Sequence, residues 1–235
     1  MESEATSGSI GFLRPNLSVN AADLIVIGAG PAGLAATVAA RETSSGVILV
    51  DMGLSAEQRN HENPAELGVG IGGAGLFSDG KFSFRPSATR LWQLSNARAL
   101  TAAEEWTTQI LERAGLSRAA KNSSLPADRT STGGVRKHYP SCYLTLAQRR
   151  ALIDDLVRGS GSSVICEFRI DCLKWRSEEG VFGVAGTDMG SGEEFQLRCR
   201  QVIYAGGRMG PIAWSRLFPD GPTNLACRVG NTDRA

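Results

Sequence analysis

One stretch constrains this chain most: an apolar strand that runs into a glycine turn and a helix start, followed by a second apolar strand that ends in an acid. The residues are Asp23-Leu24-Ile25-Val26-Ile27-Gly28-Ala29-Gly30-Pro31-Ala32-Gly33, then Val47-Ile48-Leu49-Val50 and Asp51. Each part suits the gripping of a dinucleotide. Gly28 permits the tight turn, Gly30 lets the backbone approach a pyrophosphate, and Gly33 lets the helix pack closely on the strand. The first-turn N–H groups of the helix, around Pro31, Ala32 and Gly33, have no intrahelical partner, so they and the helix dipole attract phosphate. Asp51 lies about 20 residues on, where an acid accepts the hydroxyls of a ribose.

The expression G-x-G-x-x-G alone is weak evidence, because Gly70-Ile71-Gly72-Gly73-Ala74-Gly75 also matches it. No convincing strand precedes this second match, and Phe77-Ser78-Asp79-Gly80-Lys81 after it carries a turn signal rather than a helical pattern. Context therefore favours the first match as the dinucleotide site.

Composition narrows the class. A chain of 235 residues with 42% hydrophobic and 21% charged residues makes one large domain or two small ones with a sizeable core. The net charge of +1 gives no general attraction to nucleic acid or to anionic membrane. Many of the 28 glycines fall in clusters at 28–33, 68–75 and 206–210, which suggests backbone brought close to a ligand. No apolar run approaches the ~18 residues that span a bilayer. Residues 1–20 read as a flexible leader, without the apolar core of a signal peptide. Cys142, Cys166, Cys172, Cys199 and Cys227 include no C-x-x-C, which speaks against metal binding and dithiol chemistry and for free thiols in a reducing cytoplasm.

Periodicity predicts a helix over about 31–42, a glycine-rich loop over 52–90 and a helix over about 91–114 that stops at Gly115. Residues 117–144 read as a polar excursion. Thr145 is placed to cap a helix from Leu146 to Val157. Three short strands are expected after it, Val164 to Trp175, Gly180 to Thr187 and Glu194 to Leu197, and then a return strand Gln201–Ala205 running into Gly206-Gly207-Arg208-Met209-Gly210. In domain terms, the leader is followed by a β-α-β unit with its glycine loop (21–90), a helical and loop insertion (91–162), and an antiparallel crossover with the return strand (163–235).

The amino-terminal motif together with Ala205-Gly206-Gly207-Arg208 resembles the FAD-dependent oxidoreductases with two dinucleotide folds. The segment Gly70-Ile71-Gly72-Gly73-Ala74-Gly75-Leu76-Phe77-Ser78-Asp79-Gly80-Lys81 is similar to the GGAG-T-F-S-D-G-K segment of the "FAD-dependent dehydrogenase" group, with Leu76 in place of threonine. Gly207-Arg208 with Gly210 resembles its A-x-G-R-S-G pattern, with Met209 in place of serine. The resemblance implies an α/β, Rossmann-like, three-layer FAD-binding fold with a small antiparallel β crossover. It implies that Gly28, Gly30, Pro31, Ala32, Gly33 and Asp51 hold the ADP half of FAD. Gly72, Gly73, Ser78, Asp79 and Lys81 would line the riboflavin half, Gly206, Gly207 and Arg208 would close over it, and Val164 to Phe168 would run past the adenine. Members of such families are usually nearly twice as long and carry a late Gly-Asp or Gly-Glu motif that this sequence lacks after Gly210. The expectation is therefore a fold incomplete at its carboxyl end: a fragment, a truncated product or a reduced relative.

A flavin performs the redox step itself, so the protein's task is binding and tuning. Lys81 is a candidate cation near the flavin ring, or a surface lysine after a turn. Asp79 is a candidate partner of the ribityl chain, or the cap of its own turn. Arg208 suits a pyrophosphate or an acidic substrate through its rigid fork, or is a surface residue opening 211–217. His138, beside Arg136 and Lys137, is a candidate acid or base and hints at a small anionic substrate, or is simply solvated. The leading function is an oxidoreductase passing a hydride or electrons between non-covalent FAD and a small organic substrate, with a nicotinamide nucleotide as a possible electron donor. The alternatives are an NAD-dependent dehydrogenase, where Asp51 would favour NAD over NADP, and a catalytically silent nucleotide-binding module. A flavoprotein-like thiazole-forming enzyme ranks below them. Neither nucleic acid nor membrane is expected as a partner, and the oligomeric state is not readable from the residues.

Overall fold

The computed structural model describes residues 22–84, 87, 91–116, 128–129, 135–136, 141–210 and 217. The leader at 1–20, His138 and most of the segment after Gly210 lie outside the described residues. The chain divides into two compact units, one made of residues 1–74 and 156–235 and the other of residues 75–155.

The first unit is built on a six-stranded sheet of order β7-β2-β1-β10-β9-β8. Its strands are β1 (Ala22–Ile27), β2 (Val47–Val50), β7 (Ser163–Ile165), β8 (Phe168–Arg176), β9 (Val181–Asp188) and β10 (Glu194–Tyr204). Strands β7, β2 and β1 and the end of β10 run parallel, whereas β8, β9 and the start of β10 form an antiparallel meander. The apolar run of β1 and β2 is continuous because both faces of a parallel sheet are covered. On one face Ile25, Ile27, Ile48, Val50 and Ile165 join Phe168, Leu173 and Val184 in the core. Helix α1 (Pro31–Arg41) starts with Pro31 in its first turn, where the missing N–H costs nothing, and buries Gly33, Leu34 and Thr37.

Two strand expectations are corrected. The strand predicted over 164–175 is two strands, because Glu167 adopts a left-handed φ of 55° and interrupts the extended chain between β7 and β8. That conformation costs a residue with a side chain about 1–2 kcal/mol. Backbone bonds hold it: Glu167 N–H donates to the Gly53 carbonyl (2.9 Å), and its own carbonyl accepts from Met189 N–H (2.7 Å). Conversely, the strands predicted at 194–197 and 201–205 are one strand. Residues Glu194–Cys199 pair antiparallel with β9, Cys199–Tyr204 pair parallel with β1, and Cys199 is the handover between them. Arg198 and Arg200 are exposed while Leu197 and Cys199 are buried, so the charges mark alternation rather than an end.

The second unit has β3 (Lys81–Ser83) paired antiparallel with β6 (Ser141–Tyr143), and the backbones of β4 (Asp128–Arg129) and β5 (Val135–Arg136) paired likewise. Helix α2 is Ala97–Arg113, shorter than the predicted 91–114, because the Asn96 side chain caps it by accepting from Ala99 N–H (3.0 Å). Leu91–Gln93 is a separate 3-10 turn, and Leu91 and Leu94 are 45% and 58% exposed, so their helical spacing is no core stripe. Gly115 ends α2 as expected, with φ +92° and Leu116 N–H closing onto the Leu111 carbonyl (3.1 Å). Helix α3 (Leu146–Ser160) opens with the predicted Thr145 cap, completed into a capping box by Gln148. Leu111, Leu116 and Leu144 form this unit's core with Phe82, Phe84 and Leu152. Among the described residues no helix is long and apolar enough to cross a membrane, and no cluster of acidic, histidine and cysteine side chains could hold a metal ion.

Candidate dinucleotide site

The three glycines of the first turn differ sharply in their surroundings. Gly28 has φ +97°, and a Cβ there would lie 2.5 Å from the Ala205 carbonyl oxygen. At Gly33 a Cβ would lie 1.7 Å from the Gly28 carbonyl oxygen. At Gly30 the nearest atom among the described residues would be the Cα of Gly73, at 4.0 Å. Protein packing thus requires glycine at 28 and 33 and leaves Gly30 an open face. Gly30 is also the N-cap of α1, and no side chain caps the helix there. With Pro31 lacking an N–H, the first-turn donors begin with Ala32 and Gly33.

Asp51 ends β2 beside this turn and is 9% exposed. Its Oδ2 accepts from Ala29 N–H (2.7 Å) and its Oδ1 from Gly53 N–H (2.9 Å). Its backbone ties it to the end of β7, donating to the Ile165 carbonyl (2.9 Å), and to the start of β8, accepting from Phe168 N–H (3.0 Å). The Phe168 side chain itself is 1% exposed and belongs to the core, 6.1 Å from the Phe195 ring. Burying a phenyl group contributes about 1.5–3 kcal/mol to folding, and that burial leaves only the backbone of Phe168 to line a site.

The second glycine run folds back onto the first. Gly70, Gly72 and Gly73 all have positive φ, and Gly72 N–H donates to the Ala29 carbonyl (2.8 Å). A Cβ on Gly73 would lie 3.0 Å from the Gly30 Cα. The run is held from behind by Arg59, a residue the sequence did not single out, which is 2% exposed. Its Nη1 donates to the carbonyls of Ile71 (2.7 Å) and Gly73 (3.0 Å), and its Nε to that of Glu66 (3.1 Å). Burial lowers its pKa, while Asp51 and Glu66 act the other way; a guanidinium nevertheless stays charged.

In the second unit, Ser78 Oγ donates to the Gly75 carbonyl (2.9 Å) and accepts from Gly80 N–H (3.1 Å), and Asp79 Oδ1 accepts from Lys81 N–H (3.0 Å). Both side chains thus shape their own turn, and the Lys81 residue is exposed at the start of β3. A second buried arginine, Arg149, anchors this segment through the carbonyls of Leu76 (2.9 Å) and Leu144. At the end of β10, Gly206 is packed so that a Cβ would meet the Tyr204 ring at 2.5 Å. Gly207 has φ +64°, and Arg208 is exposed in the 3-10 turn Gly207–Met209. The structure therefore brings Gly28, Gly30, Gly33, Asp51, Gly72 and Gly73 together.

Cys166 follows β7 near Asp51. Burial, with Asp51 and Glu167 adding to it, pushes its thiol from 9.0 up to about 12. Burial pushes Cys199 to about 11 against two opposing backbone hydrogen bonds. The folded chain keeps these protons where the unfolded chain releases them. Their contribution to stability is therefore complete below pH ~9 and disappears as pH rises through ~11 to ~12. Urea unfolding at rising pH should show this loss, and Cys166→Ala should flatten the decline. An equally steep decline in that variant would exclude Cys166 as its source.

No protein-family model and no curated protein matches this chain. Solved structures do. NikD, "an unusual amino acid oxidase essential for nikkomycin biosynthesis", matches at 14% identity and a TM-score of 0.51, over 85% of this chain and 54% of that one. A flavoprotein/dehydrogenase from Cytophaga hutchinsonii matches at 16% identity and a TM-score of 0.45, over 84% of this chain and 42% of the other. The bacillithiol disulfide reductase Bdr from Bacillus cereus matches at 14% identity and a TM-score of 0.42, over 78% and 39%. The chain thus spans about half the length of NikD and less of the other two. The likeness to NikD shows a shared α/β fold, a Rossmann-like parallel sheet with an antiparallel crossover, as the sequence predicts.

Proposed function

We propose that this chain is the dinucleotide-binding part of a flavoprotein oxidoreductase, holding FAD non-covalently and serving a small organic substrate. The observation that carries this reading is the contrast among the three glycines. Packing explains Gly28 and Gly33, whereas among the described residues a Cβ at Gly30 would meet only the Gly73 Cα, at 4.0 Å. An open glycine over an uncapped helix start suits the close approach of a pyrophosphate. Asp51 supports the reading: a carboxylate has about four lone-pair sites, and two remain for a ribose after Ala29 and Gly53 N–H are served. The antiparallel meander β8–β10 favours FAD over a nicotinamide nucleotide, whose fold would continue with alternating strands and helices. When bound, FAD supplies the hydride or electron chemistry, and the chain's residues bind and orient it.

The test is the visible absorption spectrum of the purified chain after FAD is added and the excess removed. A retained flavin spectrum is expected. Gly30→Ala should keep the melting temperature within about 1 °C and weaken FAD by roughly 10-fold or more, since its methyl group meets ligand rather than protein. A protein that stays colourless would overturn the reading, and binding of NAD alone would replace it with a nicotinamide site.

A further inference from the structure

A segment of some thirty residues between Asp51 and β3 has almost no ladder to satisfy its carbonyls, and buried backbone acceptors must find donors. Arg59 supplies them. It is almost fully buried, and its donors reach carbonyls at positions 66, 71 and 73. Two of those carbonyls converge on a single atom, Nη1. The peptide joining Ile71 to Gly72 shows the consequence. Its carbonyl points to Arg59 and its N–H, on the opposite edge of a trans peptide, donates to Ala29 in the first glycine turn. The peptide after Gly73 also turns its carbonyl to Arg59, so the Ala74 N–H faces away from the guanidinium.

We propose that Arg59 is the positioning residue of the cofactor site: it holds the backbone arm 70–74 against the first glycine turn, in the shape that receives the flavin-side half of a dinucleotide. The inference rests on the FAD reading above. Arg59 does not touch the cofactor; its donors go to backbone, and it acts through the arm. A lysine cannot substitute, because a compact ammonium lacks the planar fork that spans these carbonyls. The ADP half rests on the Gly28–Gly30 turn, the start of α1 and Asp51, which the arm meets through the bond from Gly72 N–H to the Ala29 carbonyl and the approach of Gly73 to Gly30. Loss of Arg59 should therefore divide the two halves of the ligand.

The experiment compares the full chain with Arg59→Met and Arg59→Lys, titrating each with FAD and with ADP and following amide hydrogen exchange without ligand. In Arg59→Met, FAD affinity should fall about 10- to 100-fold, by analogy with the loss on removing an outer partner of a metal ligand, while ADP affinity changes less than about threefold. Exchange should accelerate at 70–74 and stay slow through β1 and α1. Arg59→Lys should show the same division at smaller amplitude, and it carries the test if the methionine variant does not fold. Equal losses of FAD and ADP, or an unchanged FAD affinity, would overturn the proposal. A wild-type chain that binds no FAD would sink the cofactor reading; unchanged exchange at 70–74 in both variants would sink Arg59's part independently.

Discussion

Gly33→Ala is expected to destabilise the first unit by about 4 kcal/mol or more, lowering its melting temperature by roughly 10 °C at about 2–4 °C per kcal/mol. Helix propensity predicts the opposite sign, since alanine in a helix is favoured over glycine by about 1 kcal/mol. Packing decides the contest. The new Cβ would lie 1.7 Å from the Gly28 carbonyl oxygen, and real Cβ contacts do not fall below 3.0 Å, so the helix and turn must separate by at least 1.3 Å (from 1.7 to 3.0 Å). Neither partner is a flexible side chain that could yield. Gly28 is itself pressed against the Ala205 carbonyl, with a Cβ position 2.5 Å from that oxygen. Displacement of the turn therefore propagates to the end of β10, whose Ala205 N–H is bonded to the Ile27 carbonyl (2.7 Å). Thermal unfolding without ligand measures this directly, with Gly30→Ala as the control whose methyl group has room. If both variants melt within a few degrees of wild type, the close packing of α1 on β1 is not what Gly33 serves. If Gly30→Ala is the more damaging, the open face at Gly30 is filled by protein rather than by ligand.

The same packing explains which parts of the fold could be read from the sequence. Strand β1, the glycine turn, α1 and β2 are legible because a doubly covered parallel strand is continuously apolar and because steric demand at 28 and 33 admits only glycine. The caps at Thr145 and Gly115 are legible for a similar reason, as each position answers a local backbone need. The break at Glu167 left no trace, since a left-handed residue held there by Gly53 and Met189 is not a glycine. The unity of β10 is hard to see in the sequence because Arg198 and Arg200 break the apolar run, although they are the outward half of a strand alternation. The buried arginines were hidden more deeply. Arg59 and Arg149 bond carbonyls from positions distant in sequence, and no periodicity or spacing marks such a role. The available signal was negative: a long loop without strands or helices must find donors for its carbonyls, and Arg59 is the one arginine between Asp51 and the second glycine run. Ser78 and Asp79 show the converse, a motif in which the Ser78 Oγ and the Asp79 Oδ1 bond within its own turn.

Asp51→Ala should act twice, and the two effects can be measured apart. Without ligand, the variant leaves Ala29 N–H and Gly53 N–H without their acceptor and removes a negative charge close to buried Arg59. An orphaned buried N–H costs about 1–3 kcal/mol, so a loss near 3 kcal/mol is expected for the pair, visible as a lower urea midpoint with unchanged slope. Asparagine is no remedy, because its amide group turns a donor toward one of the two N–H groups. With ligand, the two lone-pair sites left on the carboxylate would each accept a ribose hydroxyl, and hydrogen bonds to a charged group contribute about 1.5–3 kcal/mol apiece. Allowing for competition from water, FAD and ADP affinity should both fall about 100-fold, since ribose is common to them. That shared loss separates Asp51 from Arg59, whose removal should affect FAD alone. Titrations at a temperature well below the variant's melting point keep the stability loss out of the binding constants. An Asp51→Ala protein that is destabilised but binds ADP as wild type would make Asp51 a lock on the glycine turn and nothing more. A protein that retains full stability yet loses ADP would show that the bonds to Ala29 and Gly53 contribute little, and that the carboxylate is kept at the end of β2 for the ligand.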